Sequence, residues 1–302
     1  MPSAWRSSAA IDAIAPSSAG EGDTTRETGA QGNDNMDFSK LFSLEGRTAV
    51  VTGGSRGIGE MIAEGFLAAG CERVYITARK AAVVEETASR LGDRCIALPG
   101  DISNVAGIEQ LAADLAGRES RLDILVNNAG AAWGADFEDF PEVGWDKVMD
   151  LNVKTPFFLT QKLHGLLKAA ASKEQPAKVI NIASVDGLRL NAWETYSYQA
   201  SKAAVIQLTK RMAARLIRDQ IVASCICPGA FPSEMNKAAA KNPEASAKGI
   251  PSRRIGTIED MAGGAIFLAS RAGDYVVGTP LPIDGGIVNG WIPENAVDPS
   301  GH

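Results

Sequence analysis

A short apolar strand that runs straight into a glycine turn and then into a helix is compatible with few folds, and this chain opens its ordered part with one. Thr48 to Val51 is apolar and of strand length, T-G-G-S-R-G-I-G follows from Thr52 to Gly59, and Ile58, Ile62, Phe66 and Leu67 then recur at helical spacing. The alternation continues. Further strand-length runs lie at Val74 to Thr77, Cys95 to Leu98, Ile124 to Val126, Val179 to Ile182, Ile221 to Ile226 and Leu281 to Ile283, with longer helix-like stretches between them. Consecutive parallel strands need helical crossovers, so the pattern predicts an α/β fold: a doubly wound parallel sheet with helices on both faces. Ligands of such sheets bind at the carboxyl ends of the strands, near the switch in strand order. Thr52, Asn127, Ser184 and Pro228 fall at or just beyond such ends.

Gly53, Gly57 and Gly59 supply a tight turn and let the backbone approach a pyrophosphate at a helix N-terminus, where unpaired N–H groups favour negative charge. Their spacing, G-x-x-x-G-x-G, differs from the G-x-G-x-x-G of other dinucleotide folds. An NAD site carries an Asp or Glu about 20 residues further on for the ribose 2′-hydroxyl. Here that region reads I-T-A-R-K, with Arg79 in place of a carboxylate. Arg79, helped by Arg56 and Lys80, is suited to clamp a 2′-phosphate, which predicts NADP(H). The plainer alternative is surface charge at a helix start.

Tyr198 and Lys202, in Y-Q-A-S-K, stand four apart in a segment that reads as a helix from Tyr196 to Ile217. Positions i and i+4 share a face, so the ammonium can lie close to the phenol. A neighbouring cation is expected to lower the tyrosine pKa and ready the phenol to protonate a carbonyl oxygen while a dihydronicotinamide delivers hydride. Alone, the pair is as consistent with a solvated helix face. Four further elements accompany it in chain order: the glycine turn, N-N-A-G at Asn127 to Gly130, Asn152 in L-N-V, and Ser184 in I-A-S.

With these elements the chain resembles the short-chain dehydrogenase/reductase family from about Leu44 to Gly286, and in D-I-L-V-N-N-A-G and I-D-G-G it is most similar to NADPH-dependent 3-oxoacyl reductases. The resemblance implies a single-domain Rossmann-type fold and a catalytic tetrad of Asn152, Ser184, Tyr198 and Lys202. In that scheme Ser184 orients the substrate carbonyl, Tyr198 is the acid, Lys202 also holds the nicotinamide ribose, and Asn152 anchors a water that refills the proton. It further implies cofactor contacts from Gly53, Ser55, Arg56, Gly57, Ile58, Gly59, Arg79, Asp101, Ile102, Asn128, Tyr198, Lys202, Pro228, Gly229 and Ser233. Asp101 would meet the adenine, although an N-cap for the next helix explains it equally well. Ser233, in P-G-A-F-P-S, replaces the usual threonine beside the carboxamide and keeps the hydroxyl.

A lid is expected from about 230 to 250, and Trp133, Leu188, Trp193, Phe231 and Met235 are candidates for an apolar pocket, with core or oligomer contact as the alternative. The arginines with which carrier-protein reductases dock their partner are replaced near Gln175 and Asp219, so a ketone or acyl thioester is the expected substrate. The family also implies a homotetramer. An NAD-linked alcohol or polyol dehydrogenase and a catalytically silent NADPH-binding scaffold are the competing readings.

Composition narrows the rest. The 302 residues carry a formal charge of −6, and their only basic stripe, Arg211, Arg215 and Arg218, reads as a solvated face, which argues against a nucleic-acid partner. Cys71, Cys95, Cys225 and Cys227 form no disulfide-like framework, which predicts a reduced, cytoplasmic protein. Two histidines, His164 and His302, are too few for a metal site or a Ser-His-Asp triad. No run reaches the roughly 20 apolar residues of a membrane helix. Residues 1–36 are polar, small and without periodicity, and are expected to be a disordered extension of the 37–302 domain. Arg6 among Ser and Ala resembles the start of a transit peptide, an organellar address that Asp12, Glu21, Asp23 and Glu27 argue against.

Overall fold

The computed structural model describes residues 37–233 and 241–290. The expectations for residues 1–36 and for Met235 lie outside the described residues. In chain order the elements are α1 (Phe38–Leu41), β1 (Thr48–Thr52), α2 (Gly57–Ala68), β2 (Arg73–Thr77), α3 (Ala81–Leu91), β3 (Cys95–Ala97), α4 (Val105–Ala116) and β4 (Ile124–Asn127). There follow α5 (Glu142–Met149), a π-helical turn (Asp150–Lys154), α6 (Thr155–Ala170), β5 (Ala177–Ile182), α7 (Tyr196–Leu216), β6 (Ile221–Pro228), α8 (Pro243–Lys248), α9 (Ile258–Ala269) and β7 (Pro280–Ile283). The strands form one parallel sheet in the order β3-β2-β1-β4-β5-β6-β7.

Every residue of β1, β5 and β6 is buried, because helices cover both faces of the sheet. Within β1, Ala49 and Val51 pack with Ile62 and Phe66 of α2 and Leu268 of α9, whereas Val50 packs with Leu111 of α4, Leu163 of α6 and Leu216 of α7. Two cores therefore sandwich the sheet. The chain leaves edge strand β3 and re-enters beside β1 as β4, so strand order switches between β1 and β4. That switch opens a crevice at their carboxyl ends. Thr52 and Asn127, the last residues of these two strands, flank it.

Several sequence expectations resolve here. His164 is structural: its Nε2 lies 3.1 Å from Asp219 Oδ2, and Arg215 and Lys168 hold the same carboxylate. Arg211, Arg215 and Arg218 are exposed. All four cysteines are buried free thiols, and burial pushes Cys71 up to about 12 and Cys95 up to about 11, which makes both inert. Among the described residues no cluster could hold a metal ion, and no helix is long and apolar enough to cross a membrane.

Candidate active site

The glycine turn closes against the next strand-end loop. Gly53 and Gly54 N–H groups both donate to the Thr77 carbonyl, at 2.8 and 3.3 Å, and Asn128 Nδ2 donates to the carbonyls of Thr52 (2.8 Å) and Gly53 (3.2 Å). Thr52 Oγ1 takes the N–H groups of Asn128 and Ala129, both at 2.9 Å. Asn128 thus braces the turn from behind. A Cβ at Gly59 would overlap the Gly53 carbonyl and Asn128 Nδ2, and Gly57 adopts φ +55° with Ser233 Cβ only 3.2 Å from where its own Cβ would lie. The N-cap residue Arg56 makes no side-chain cap bond to α2, and Ser233 stands over the first turn of this helix, whose N-terminal amides suit an anion.

The other candidate cofactor residues stand at or beyond neighbouring strand ends. Arg79 and Arg56 are exposed, and Arg79 lies two residues past the end of β2. Ser55 is buried, and its carbonyl accepts Thr87 Oγ1 at 3.1 Å. Ile58 packs against the core. Asp101 Oδ1 accepts the Ser103 N–H at 3.0 Å, while Asn104 caps α4, so the N-cap alternative for Asp101 does not hold. Ile102 is buried, and its carbonyl accepts Thr155 Oγ1 at 2.7 Å. Pro228 ends β6, and Gly229 bonds the Ile283 carbonyl while lying flat against Asp284.

Ser184 stands just past β5, and its Oγ accepts the Asp186 N–H at 3.1 Å. Its side chain lies near enough to the Tyr198 phenol to favour the ionised form. Lys202 is buried one turn along α7, with Nζ 2.8 Å from the Ile182 carbonyl and 5.5 Å from the centroid of the Tyr198 ring. Asn152 sits in the π-helical turn, where Thr155 N–H reaches back to the Asp150 carbonyl. Its Oδ1 accepts Ala131 N–H at 2.8 Å, and its Nδ2 donates to the Ala131 carbonyl and Ser201 Oγ, both at 2.9 Å. Ser201 in turn donates to the Tyr198 carbonyl at 2.7 Å. All four tetrad candidates therefore meet at the end of β5.

One expectation needs correction. Lys202 does not lower the Tyr198 pKa: burial pushes the phenol up to about 12, the negative charge of Asp186 adds to the rise, and only the nearby Ser184 hydroxyl opposes it. The ammonium lies beneath the ring and points to the Ile182 carbonyl, and burial brings Lys202 itself down to about 8. Phe231 takes the core alternative, while one side of it lines a small cavity with Ile250 and Gly285. It is buried in the core against Gly256, where any Cβ would overlap its ring. Both hydrogens of Asn152 Nδ2 are in use. Trp133 packs on Gly144 under Lys147, half-buried, while Leu188 and Trp193 remain exposed at the mouth of the site.

Sequence reasoning missed Ser201 and Asp186. Ser201 lies within Y-Q-A-S-K, so its spacing of three from Tyr198 was a usable signal; Asp186, two residues after Ser184, offered only its charge.

The family model described as enoyl-(acyl carrier protein) reductase matches residues 53–288. A Pseudomonas aeruginosa protein described as a rhamnolipids biosynthesis 3-oxoacyl-(acyl-carrier-protein) reductase is 50% identical over 251 residues, covering 81% of this chain and 97% of its own. The 2-dehydro-3-deoxy-D-gluconate 5-dehydrogenase of Escherichia coli is 36% identical over 252 residues, covering 81% and 96%. Among solved structures, a Pseudomonas aeruginosa RhlG/NADP active-site complex matches with TM-score 0.79 at 50% identity, over 82% of this chain and 98% of that one. The gluconate 5-dehydrogenase of Burkholderia cenocepacia, in complex with NADP and tartrate, matches with TM-score 0.75 at 33% identity over the same shares. The chain belongs to the short-chain dehydrogenase/reductase family, and it is an oxidoreductase.

Proposed function

We propose that this enzyme reduces the ketone of a 3-oxoacyl group, or of another apolar ketone, to the secondary alcohol with NADPH. The observation that carries the reading is Ser184 and Tyr198 side by side at a strand end, backed by a buried Lys202, next to a glycine turn that opens a helix. This turn fits a dinucleotide: its glycines leave no room for a Cβ, and Arg79 supplies positive charge where an NAD site carries a carboxylate. Bound there, the dihydronicotinamide supplies hydride to the carbonyl carbon. Tyr198 gives its proton to the carbonyl oxygen, and the Ser184 hydroxyl donates to the same oxygen and fixes its direction. Lys202 contributes positive charge behind the phenol and a donor for the nicotinamide ribose. Asn152 holds the π turn and Ala131 in register with α7, through Ser201.

A high Tyr198 pKa suits this direction of reaction. The phenol keeps its proton throughout the neutral range, and an alkoxide is a stronger base than a phenolate, so transfer remains downhill. The test is a substrate panel read by NADPH absorbance, containing 3-oxoacyl thioesters, simple apolar ketones and 5-ketogluconate. Faster turnover of the thioesters and apolar ketones is expected, whereas a clear preference for 5-ketogluconate with NADH would replace this reading with a polyol-type dehydrogenase.

A homotetramer and a cytoplasmic setting complete the proposal. Val143 and Trp145 on α5 and Phe157 on α6 expose 67%, 42% and 40% of their surface, which suits helix pairing across a two-fold axis. Four reduced cysteines suit a reducing compartment. Light scattering at working concentration should give four times the chain mass, and a monomeric mass rejects the assembly.

A further inference from the structure

Three buried polar side chains take no part in the chemistry above. Asn127 ends β4, Asn181 is the last residue but one of β5, and Thr209 lies on α7. Asn127 Nδ2 donates to Asn181 Oδ1 at 2.8 Å and to Thr160 Oγ1 of α6 at 3.2 Å, and Asn181 Nδ2 donates to Thr209 Oγ1 at 2.8 Å. The Thr209 hydroxyl gives its own hydrogen to the Val205 carbonyl at 2.7 Å. An apolar side chain at position 181 would suit a strand buried on both faces, as Val179, Ile180 and Ile182 do. Hydrogen bonds in such an interior are strong and directional, and they hold the elements they join in one arrangement.

The chain neighbours of both asparagines belong to the site. Asn128 braces the glycine turn, and Ile182 offers the carbonyl that accepts Lys202 Nζ at 2.8 Å. Strand β5 therefore grips α7 at two adjacent residues, through the Asn181 amide to Thr209 and through the Ile182 carbonyl to Lys202. Lys202 and Thr209 are seven apart, and seven positions fall within about 20° of two full helical turns, so the two share one face. A rotation of α7 that breaks the Thr209 bond carries the Lys202 stem the same way round the axis. Steric contact sets spacing rather than rotation: at Gly187, where a Cβ would overlap the Lys202 carbonyl group, it fixes only how near the helix lies. The Asn152–Ser201 bond ties α7 to the π-helical turn, and the Asn181–Thr209 bond ties it to the sheet.

We propose that Asn181 and Thr209 are positioning residues for Lys202, and that their bond fixes the rotation of α7 on β5 so that the ammonium stays on the Ile182 carbonyl behind the Tyr198 ring. The inference rests on the role given to Lys202 in the ketone reduction proposed above. Burial holds the Lys202 pKa down, and the titratable groups that face it are Cys225 and Cys227 of β6, Asp186 of the 3-10 turn and the Tyr198 phenol. A lysine swung off its carbonyl meets more water, which moves its pKa back up.

The test uses the full-length enzyme, NADPH and the ketone of the panel that wild type turns over fastest. Thr209→Val keeps the shape and removes the acceptor, whereas Thr209→Ser keeps the hydroxyl. The valine variant should lose about ten- to a hundredfold in kcat, the scale of a small misplacement at a reacting centre, and bind NADPH more weakly, with KM for the ketone little changed. Its fall in rate with rising pH should move to higher pH. The serine variant should restore kcat, NADPH affinity and the wild-type pH profile together. If thermal unfolding shows that Thr209→Val does not fold, Thr209→Ala takes its place with the same expectations, since alanine is the best helix former. Wild-type kcat in the folded variant, a lower kcat with unchanged pH profile and NADPH affinity, or a serine variant as impaired as valine overturns the proposal. So does failure of both the valine and the alanine variant to fold. Wild type that reduces no ketone of the panel overturns the reading of function instead, and fluorescence titration of NADPH with the same variants then decides the positioning role: equal affinity in wild type and Thr209→Val rejects it.

Discussion

Tyr198→Phe is expected to abolish turnover while leaving NADPH binding nearly intact. The substitution deletes the proton donor and the partner of Ser184 but very little volume, and general acid catalysis is typically worth ~10²–10⁴-fold. Lys202→Ala should lower both turnover and cofactor affinity, because its ammonium sits behind the phenol and is the donor assigned to the ribose. The acidity of the two groups also fixes the sign of the pH dependence. Tyr198 holds its proton up to about 12, whereas Lys202 loses its charge as pH rises through about 8. The rate of ketone reduction should therefore fall as pH rises through the lysine value, long before the phenol ionises. Stopped-flow turnover and fluorescence titration of NADPH check both halves, and wild-type turnover in the phenylalanine variant would remove Tyr198 from the mechanism.

What made this site legible was the way burial writes itself into sequence. Strands such as Ala177–Ile182 and Ile221–Pro228 are covered on both faces, so they read as continuous apolar runs that stand out from the helices between them. Gly59 was legible for a similar reason: only glycine fits where the Gly53 carbonyl and Asn128 crowd its α-carbon. The features that escaped depend on partners distant in sequence. The π turn at Asp150–Lys154 is held by Thr155 Oγ1 reaching the Ile102 carbonyl, a contact across 53 positions with no local signature. Phe231 followed a strand-end proline and glycine as pocket residues do, yet the space beside Gly256 drew it into the core. The sign of the tyrosine shift failed for a related reason. Spacing of four placed the charge near the ring, but how much water the site excludes and where the ammonium points are properties of the packed structure.

Arg79→Asp is expected to reverse cofactor preference. Arg79 stands just past β2, whose last carbonyl, that of Thr77, binds the amides of the glycine turn, so the arginine follows directly on the strand end that braces this turn. Charge-assisted hydrogen bonds from a guanidinium to a phosphate contribute about 1.5–3 kcal/mol, so Arg79→Ala should weaken NADPH by roughly 10- to 150-fold. NADH, which lacks the phosphate, should scarcely respond. Aspartate goes further, because it repels the 2′-phosphate and accepts a hydrogen bond from the free ribose hydroxyl, adding an attraction for one cofactor to a repulsion of the other. Arg56, exposed in the same turn, leaves some positive charge in place, so the alanine variant should still favour NADPH weakly while the aspartate variant does not. The measurement is the ratio of kcat/KM with NADPH to that with NADH for wild type and both variants. Equal losses for the two cofactors in Arg79→Ala would make the arginine ordinary surface charge, and selectivity would then have to come from Arg56 or Lys80.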